Sequence, residues 1–365
     1  MLIVLLTLSL AALAAALAMP RLVDWPDPAW AHLVLAVAVM SLITGAMQHF
    51  VPVLCRSRGA GPWVARLPWA MAGAGGIAVA VFAGLLDAGG LMIAAGLGLA
   101  GALAMLVWMR GKQAASVGPA HPGLAWYVAA VACLVAGLGA VAAMHVVPAW
   151  HAALRAFHLH INLYGFIGLT AIGTLQVLMP TLSGRPDPGA GSRLRRDLKW
   201  ALAGAWGLAL GQALEFTVLS WAGVLAWAWP LAHMAWAWAR LYRREILGLH
   251  GGEPVLAVAL LGFGCALVGA LQGLEAPLAV FLPGFLFPLV TGAAGHLGPV
   301  WLRPGLATPW HAESRRFLNR YAAWRALFFA TSALLPVFGL KCAGIPGFIG
   351  LMGFFVVFVI WLWRA

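Results

Sequence analysis

Apolar residues run in long blocks along this chain, separated by short breaks rich in glycine, proline and charge. Blocks of membrane-spanning length, about 20 residues each, cover 2–19, 30–54, 66–86, 90–109, 124–147, 155–182, 198–220, 222–240, 254–273, 276–302, 321–340 and 344–363. Each predicts an apolar helix, and together they take up about 240 residues, leaving room only for short connections. The pattern therefore predicts an all-α polytopic membrane protein with about twelve transmembrane helices, a single transmembrane domain over 1–365. The first block ends in Ala16-Leu17-Ala18, which fits a signal-peptide cleavage site, but it lacks a basic leader and reads as a retained helix.

The blocks repeat. The second ends Thr44-Gly45-Ala46-Met47-Gln48-His49-Phe50-Val51-Pro52, the sixth Ile172-Gly173-Thr174-Leu175-Gln176-Val177-Leu178-Met179-Pro180, and the tenth Thr291-Gly292-Ala293-Ala294-Gly295-His296-Leu297-Gly298-Pro299. A glycine stands seven residues before a proline in all three, and the copies are 128 and then 119 residues apart, about four helices each. Such periodicity predicts three pseudo-symmetric four-helix repeats, about 1–112, 122–245 and 253–365.

Composition and charge fix the setting. With 63% hydrophobic and 9% charged residues, the chain lies outside the range of soluble domains. Of the 22 basic residues, 19 fall in or beside the loops after the even-numbered helices and at the C-terminus. Arg21, Arg155 and Lys341 fall on the other side, which collects Asp24, Asp27, Asp87 and Glu275. The positive-inside rule then predicts two cytoplasmic termini. The net charge of +12 is mostly this asymmetry and needs no nucleic-acid partner. Cys55, Cys133, Cys265 and Cys342 have no paired spacing that suggests a disulfide framework or a cysteine metal site.

Candidate chemistry rests on histidine, which is costly at membrane depth without a partner or ligand. Counting 20 residues back from each repeat proline reaches His32, His160 and Ala279. His32 and His160, at one level on equivalent helices, are expected as the axial ligands of a low-spin heme b. His158 points about 200° away from His160 on a regular helix and would serve a different site, a second heme or copper, or face solvent. Tyr164 shares the face of His160 and is expected beside a heme edge. Arg155, with Arg21, is a candidate partner for heme propionates. His145 and His151, near Met144, are either further copper donors or interfacial loop residues. Glu215, near the outer end of the seventh helix, is the acid expected within a span.

The run His158-Leu159-His160, Gly165-Phe166, Ile172-Gly173-Thr174-Leu175 and Pro180 resembles the H-x-H helix of the heme-copper oxidase superfamily, in the version found in nitric oxide reductase and C-type oxidase large subunits. That resemblance implies twelve helices in three sets of four. It also implies that the second histidine of the pair holds the low-spin heme with the second-helix histidine, and that the first holds a high-spin heme. In that superfamily the H-x-H helix is the tenth, whereas here it is the sixth, and 199–220 contains no histidine for a copper site. A complete oxygen-reducing centre is not expected. The chain is more similar to the NnrS family of twelve-helix heme membrane proteins linked to nitric oxide metabolism. The resemblance thus implies a redox protein of a bacterial inner membrane with one heme b, room for a second heme or copper, and as partners a small diatomic ligand, quinol or a cytochrome. Two other functions fit the residues: a copper-handling or transport protein using the outer histidines, and a non-catalytic assembly subunit.

Overall fold

Each of the twelve apolar blocks forms a helix. The computed structural model describes residues 1–19, 22–272, 276–340 and 344–365, so Arg21, Glu275, Lys341 and Cys342 lie outside the described residues. In chain order the helices are α1 (Leu2–Ala18), α2 (Asp27–Leu54), α3 (Val64–Phe82), α4 (Gly90–Ala114), α5 (Gly123–Val146), α6 (Pro148–Ser183), α7 (Ala190–Ala213), α8 (Thr217–Leu241), α9 (Glu253–Gly269), α10 (Leu278–Leu302), α11 (Pro309–Leu318), α12 (Ala322–Phe338) and α13 (Gly344–Arg364). No strand occurs among the described residues.

Eight helices, α2 to α6, α8, α10 and α13, are long and apolar enough to cross a membrane. The other expected spans fall short for local reasons. α1 and α9 have 17 residues each. α7 carries Arg193, Arg195, Arg196, Asp197 and Lys199 in its first half and stops at Ala213. Glu215 follows in a left-handed turn (φ 53°), so it belongs to the α7–α8 connection and not to a span. α12 is bent by 43° against α11, and the two count as one broken span at most. Val107, Leu225 and Trp236, in the middle of long helices, are each at least two-thirds exposed, as lipid-facing side chains are.

Three helices stand apart from the rest. The apolar stretches of α2, α6 and α10 are 50%, 83% and 72% buried, against 33% to 39% for the other five. These are the helices that carry the repeated motif, and each contains a π-helical turn: Leu33–Val39, Ile161–Ile167 and Phe281–Leu286. The π turns begin 19, 19 and 18 residues before Pro52, Pro180 and Pro299. A π turn adds a residue to the helical circuit and is frequent at functional sites. The prolines lie inside the helices, two or three residues before their ends.

The repeated glycine has a steric reason. A Cβ at Gly45 would lie 2.7 Å from Leu5 of α1, at Gly173 2.8 Å from Trp126 of α5, and at Gly292 2.7 Å from Leu256 of α9. In each case a side chain of the preceding helix occupies the space. The residue four before each proline then ties the helix to a following segment through a side-chain amide, its own in the first two copies and that of Asn319 in the third. Gln48 donates to the Val64 carbonyl, Gln176 accepts from Arg193, and Asn319 donates to the Gly295 carbonyl.

The chain packs as two units. The first is Met1–Gly173 with Leu194–Gly223, and the second is Thr174–Arg193 with Val224–Ala365. In the first, Gly75 of α3 meets the π turn of α2 backbone to backbone: a Cβ there would lie 2.6 Å from the Ala36 carbonyl carbon and 2.7 Å from the Val37 nitrogen. In the second, Gly262 of α9 meets the π turn of α10 in the same way, at the Gly284 carbonyl. The interior of the second unit is filled by Trp227, Phe263, Phe281, Phe285, Phe287 and Phe329, all essentially inaccessible. A buried Arg325 caps α11 there, donating to the Leu318 carbonyl and to Asn319 Oδ1 over the Phe354 ring.

Candidate functional site

His32, His158 and His160 all belong to the first unit and sit beside its two π turns. Pro28, in the first turn of α2, presents its carbonyl to His32, whose Nδ1–H donates to it at 2.7 Å. His158 Nδ1–H donates at 2.9 Å to the Gly137 carbonyl of α5. His160 Nδ1–H donates at 2.8 Å to Ala156, one turn back on its own helix. A carbonyl can only accept, so each contact places the proton on Nδ1 and leaves Nε2 with the free electron pair. That is the tautomer a metal-binding imidazole needs.

The ring that faces His32 belongs to His158. Their centroids are 6.5 Å apart and their planes are 11° from parallel. The Phe82 ring of α3 flanks His32 at 4.7 Å. His160 lies instead against Tyr164, with centroids 6.1 Å apart and planes at 19°. Although His32 and His160 share a level along their helices, the ring stacked beside His32 is that of His158. Level along a helix does not fix direction around it, and the two histidines of the H-x-H run point to opposite sides.

Ordinary aromatic pairs have ring centroids about 4.5–7 Å apart. With metal–nitrogen bonds of about 2 Å, and each ring centre about 1 Å behind its nitrogen, two imidazoles on opposite sides of one ion have centroids about 6 Å apart. The observed 6.5 Å is compatible with either arrangement. Both rings are half-buried within the unit.

Among the described residues no group of three or more His, Cys, Asp or Glu side chains converges on one point. An ion bound by side chains alone would thus gain two donors here, where zinc takes four. Heme iron needs two, because the porphyrin supplies the other four. Two imidazoles so placed could hold a heme iron, and His32 and His158 are the residues that would do so.

The remaining candidates are more dispersed. His160 and Tyr164 are fully buried, and His160 Nε2 has no hydrogen-bond partner. Arg155, His145 and His151 are exposed at the start of α6 and the end of α5. His145 donates to Val141 of its own helix, and no described cluster joins it to His158. Two residues of the site escaped the sequence reading. Asn162 donates at 2.8 Å to the His158 carbonyl, and Gly137 supplies the acceptor for His158. Asn162 had a signal, since it is a polar side chain in an apolar run, one turn beyond His158. Gly137 had none. Comparison of the chain with protein families, with curated proteins and with solved structures finds no match.

Proposed function

We propose that the protein is a b-type heme-binding integral membrane protein of the redox class, with His32 and His158 as the axial ligands. The observation that carries this is the near-parallel pair of imidazoles with centroids 6.5 Å apart, each with Nδ1 satisfied by a backbone carbonyl. Heme held in this way exchanges single electrons. With both axial positions filled by histidine, electron transfer between a quinol or cytochrome and a second site is favoured over direct binding of a diatomic such as nitric oxide. The roles drawn from the H-x-H resemblance are exchanged: His158 stands beside His32, and His160, with a buried unpartnered Nε2, is the candidate for a second heme or copper.

The architecture we propose for this function is three four-helix repeats in a bacterial inner membrane, both termini cytoplasmic. The recurrence of π turn, close-contact glycine, amide tie and proline at one register in α2, α6 and α10 supports it. The same histidine pair would also suit a two-coordinate cuprous ion, as a copper-handling protein would use. Pyridine-hemochrome assay and metal analysis of purified protein separate the two: heme b at one or more per chain supports the proposal, and copper without heme overturns it.

A further inference from the structure

Three histidines border the π turns, and only one is oriented by another helix. His32 and His160 donate to carbonyls four residues back in their own helices, Pro28 and Ala156. His158 reaches across to Gly137 on α5. The crossing is tight. A Cβ at position 137 would lie 2.5 Å from Asn162 Nδ2 and 2.9 Å from its Oδ1. Asn162, the second residue of the π turn, donates to the His158 carbonyl at 2.8 Å, and its Nδ2 stands 3.2 Å from His158 Nδ1. Its Oδ1 is buried without a hydrogen-bond partner. A buried amide in an apolar helix with half of its hydrogen-bonding capacity unused costs stability, and here its other half is spent on one histidine.

We propose that Asn162 is a positioning residue which, together with the Gly137 carbonyl, sets the orientation and donor strength of His158 toward iron. The inference rests on the heme reading above. Gly137 fixes the tautomer by accepting from Nδ1. Asn162 fills the space that the missing Cβ leaves and ties the His158 backbone to the start of the π turn. The ring plane is then held by two helices, and this keeps it near-parallel to His32. Partners of this kind usually change metal affinity about 10–100-fold when removed.

The test compares wild type, Asn162→Leu, Asn162→Asp and His158→Ala, each purified in detergent and loaded with hemin. Asn162→Leu keeps the branched outline of the side chain, and Asn162→Asp keeps its volume. We expect Asn162→Leu to lose hemin to an apoglobin scavenger about 10–100-fold faster than wild type. The low-spin EPR spectrum should also change, because the rhombic signal of near-parallel imidazole planes depends on the ring orientation that Asn162 holds. Asn162→Asp places negative charge beside His158 and should lower the midpoint potential. Heme absent from wild type, or low-spin heme intact in His158→Ala, overturns both the heme reading and this inference. Heme lost in His158→Ala, with hemin release, EPR signal and potential unchanged in both Asn162 variants, overturns the inference alone.

Discussion

The Gly75 crossing makes a quantitative prediction about how the helices that carry His32 and Phe82 are held. Adding one methyl group in Gly75→Ala puts a Cβ 2.6, 2.7 and 2.8 Å from the Ala36 carbonyl carbon, the Val37 nitrogen and the Ala36 oxygen. All three are backbone atoms of the π turn that follows His32, so no rotamer change relieves the overlap. Ordinary contact begins at 3.4 Å, and α3 would have to retreat by about 0.8 Å along the seam. Overpacking of this kind costs about 1–3 kcal/mol. The retreat also opens a gap over the rest of the helix–helix contact and draws Phe82, on the same helix, away from His32. Gly73 and Gly76 are internal controls, because a Cβ at either has nothing within 4 Å. There alanine should be neutral, or stabilise the helix by about 0.5–1 kcal/mol through lower unfolded-state entropy. Thermal and denaturant unfolding of the three variants in one detergent should place Gly75→Ala about 1–3 kcal/mol below both controls, with faster hemin loss. Equal stability of Gly75→Ala and Gly73→Ala would refute the backbone crossing and the packing argument built on it.

Further outcomes follow from other parts of the molecule. Gly262→Ala should destabilise more than Gly264→Ala in the same unfolding assay, since a Cβ at Gly262 runs into the Gly284 carbonyl while Gly264 faces open space. Arg325→Met should cost about 1.5–3 kcal/mol by removing charged hydrogen bonds to the α11 end, and Arg325→Lys should not restore them because a single ammonium cannot span both acceptors. Asp187→Asn leaves Arg193 without its buried ion-pair partner at 2.6 Å and should cost about 3–5 kcal/mol, read from denaturant unfolding. Between α4 and α5, His121 Nδ1 accepts the Gly123 N–H, and burial, with a smaller contribution from Arg195, lowers its pKa below 6.5. The unfolded chain binds that proton more readily, so stability should fall as pH drops below about 6.5, and His121→Gln should flatten that part of the unfolding profile.

Much of the fold was readable because apolar length is a strong signal in a chain that must satisfy its backbone inside lipid. All twelve blocks are helices, and the glycine seven residues before each proline marks a close contact with a side chain of the preceding helix. The four blocks that fall short as spans reflect features that hydropathy averages away: 17-residue lengths in α1 and α9, a charged first half in α7, and a bend before α12. The histidines were legible as residues, but which rings lie beside one another was not. Register placed His32 and His160 at one level. The direction of each ring around its helix depends on π turns that no residue type announces and on the approach of α5 at Gly137, which is a contact between distant parts of the sequence.

The central claim is that His32 and His158 bind one heme iron between them. It is tested most directly by reduced-minus-oxidised spectra and pyridine-hemochrome quantitation of wild type, His32→Ala, His158→Ala and His160→Ala, purified side by side. The account predicts a low-spin b-type spectrum in wild type, its loss in both His32→Ala and His158→Ala, and its persistence in His160→Ala. Low-spin heme that survives His158→Ala but disappears in His160→Ala, or a wild-type protein that carries no heme, would contradict it.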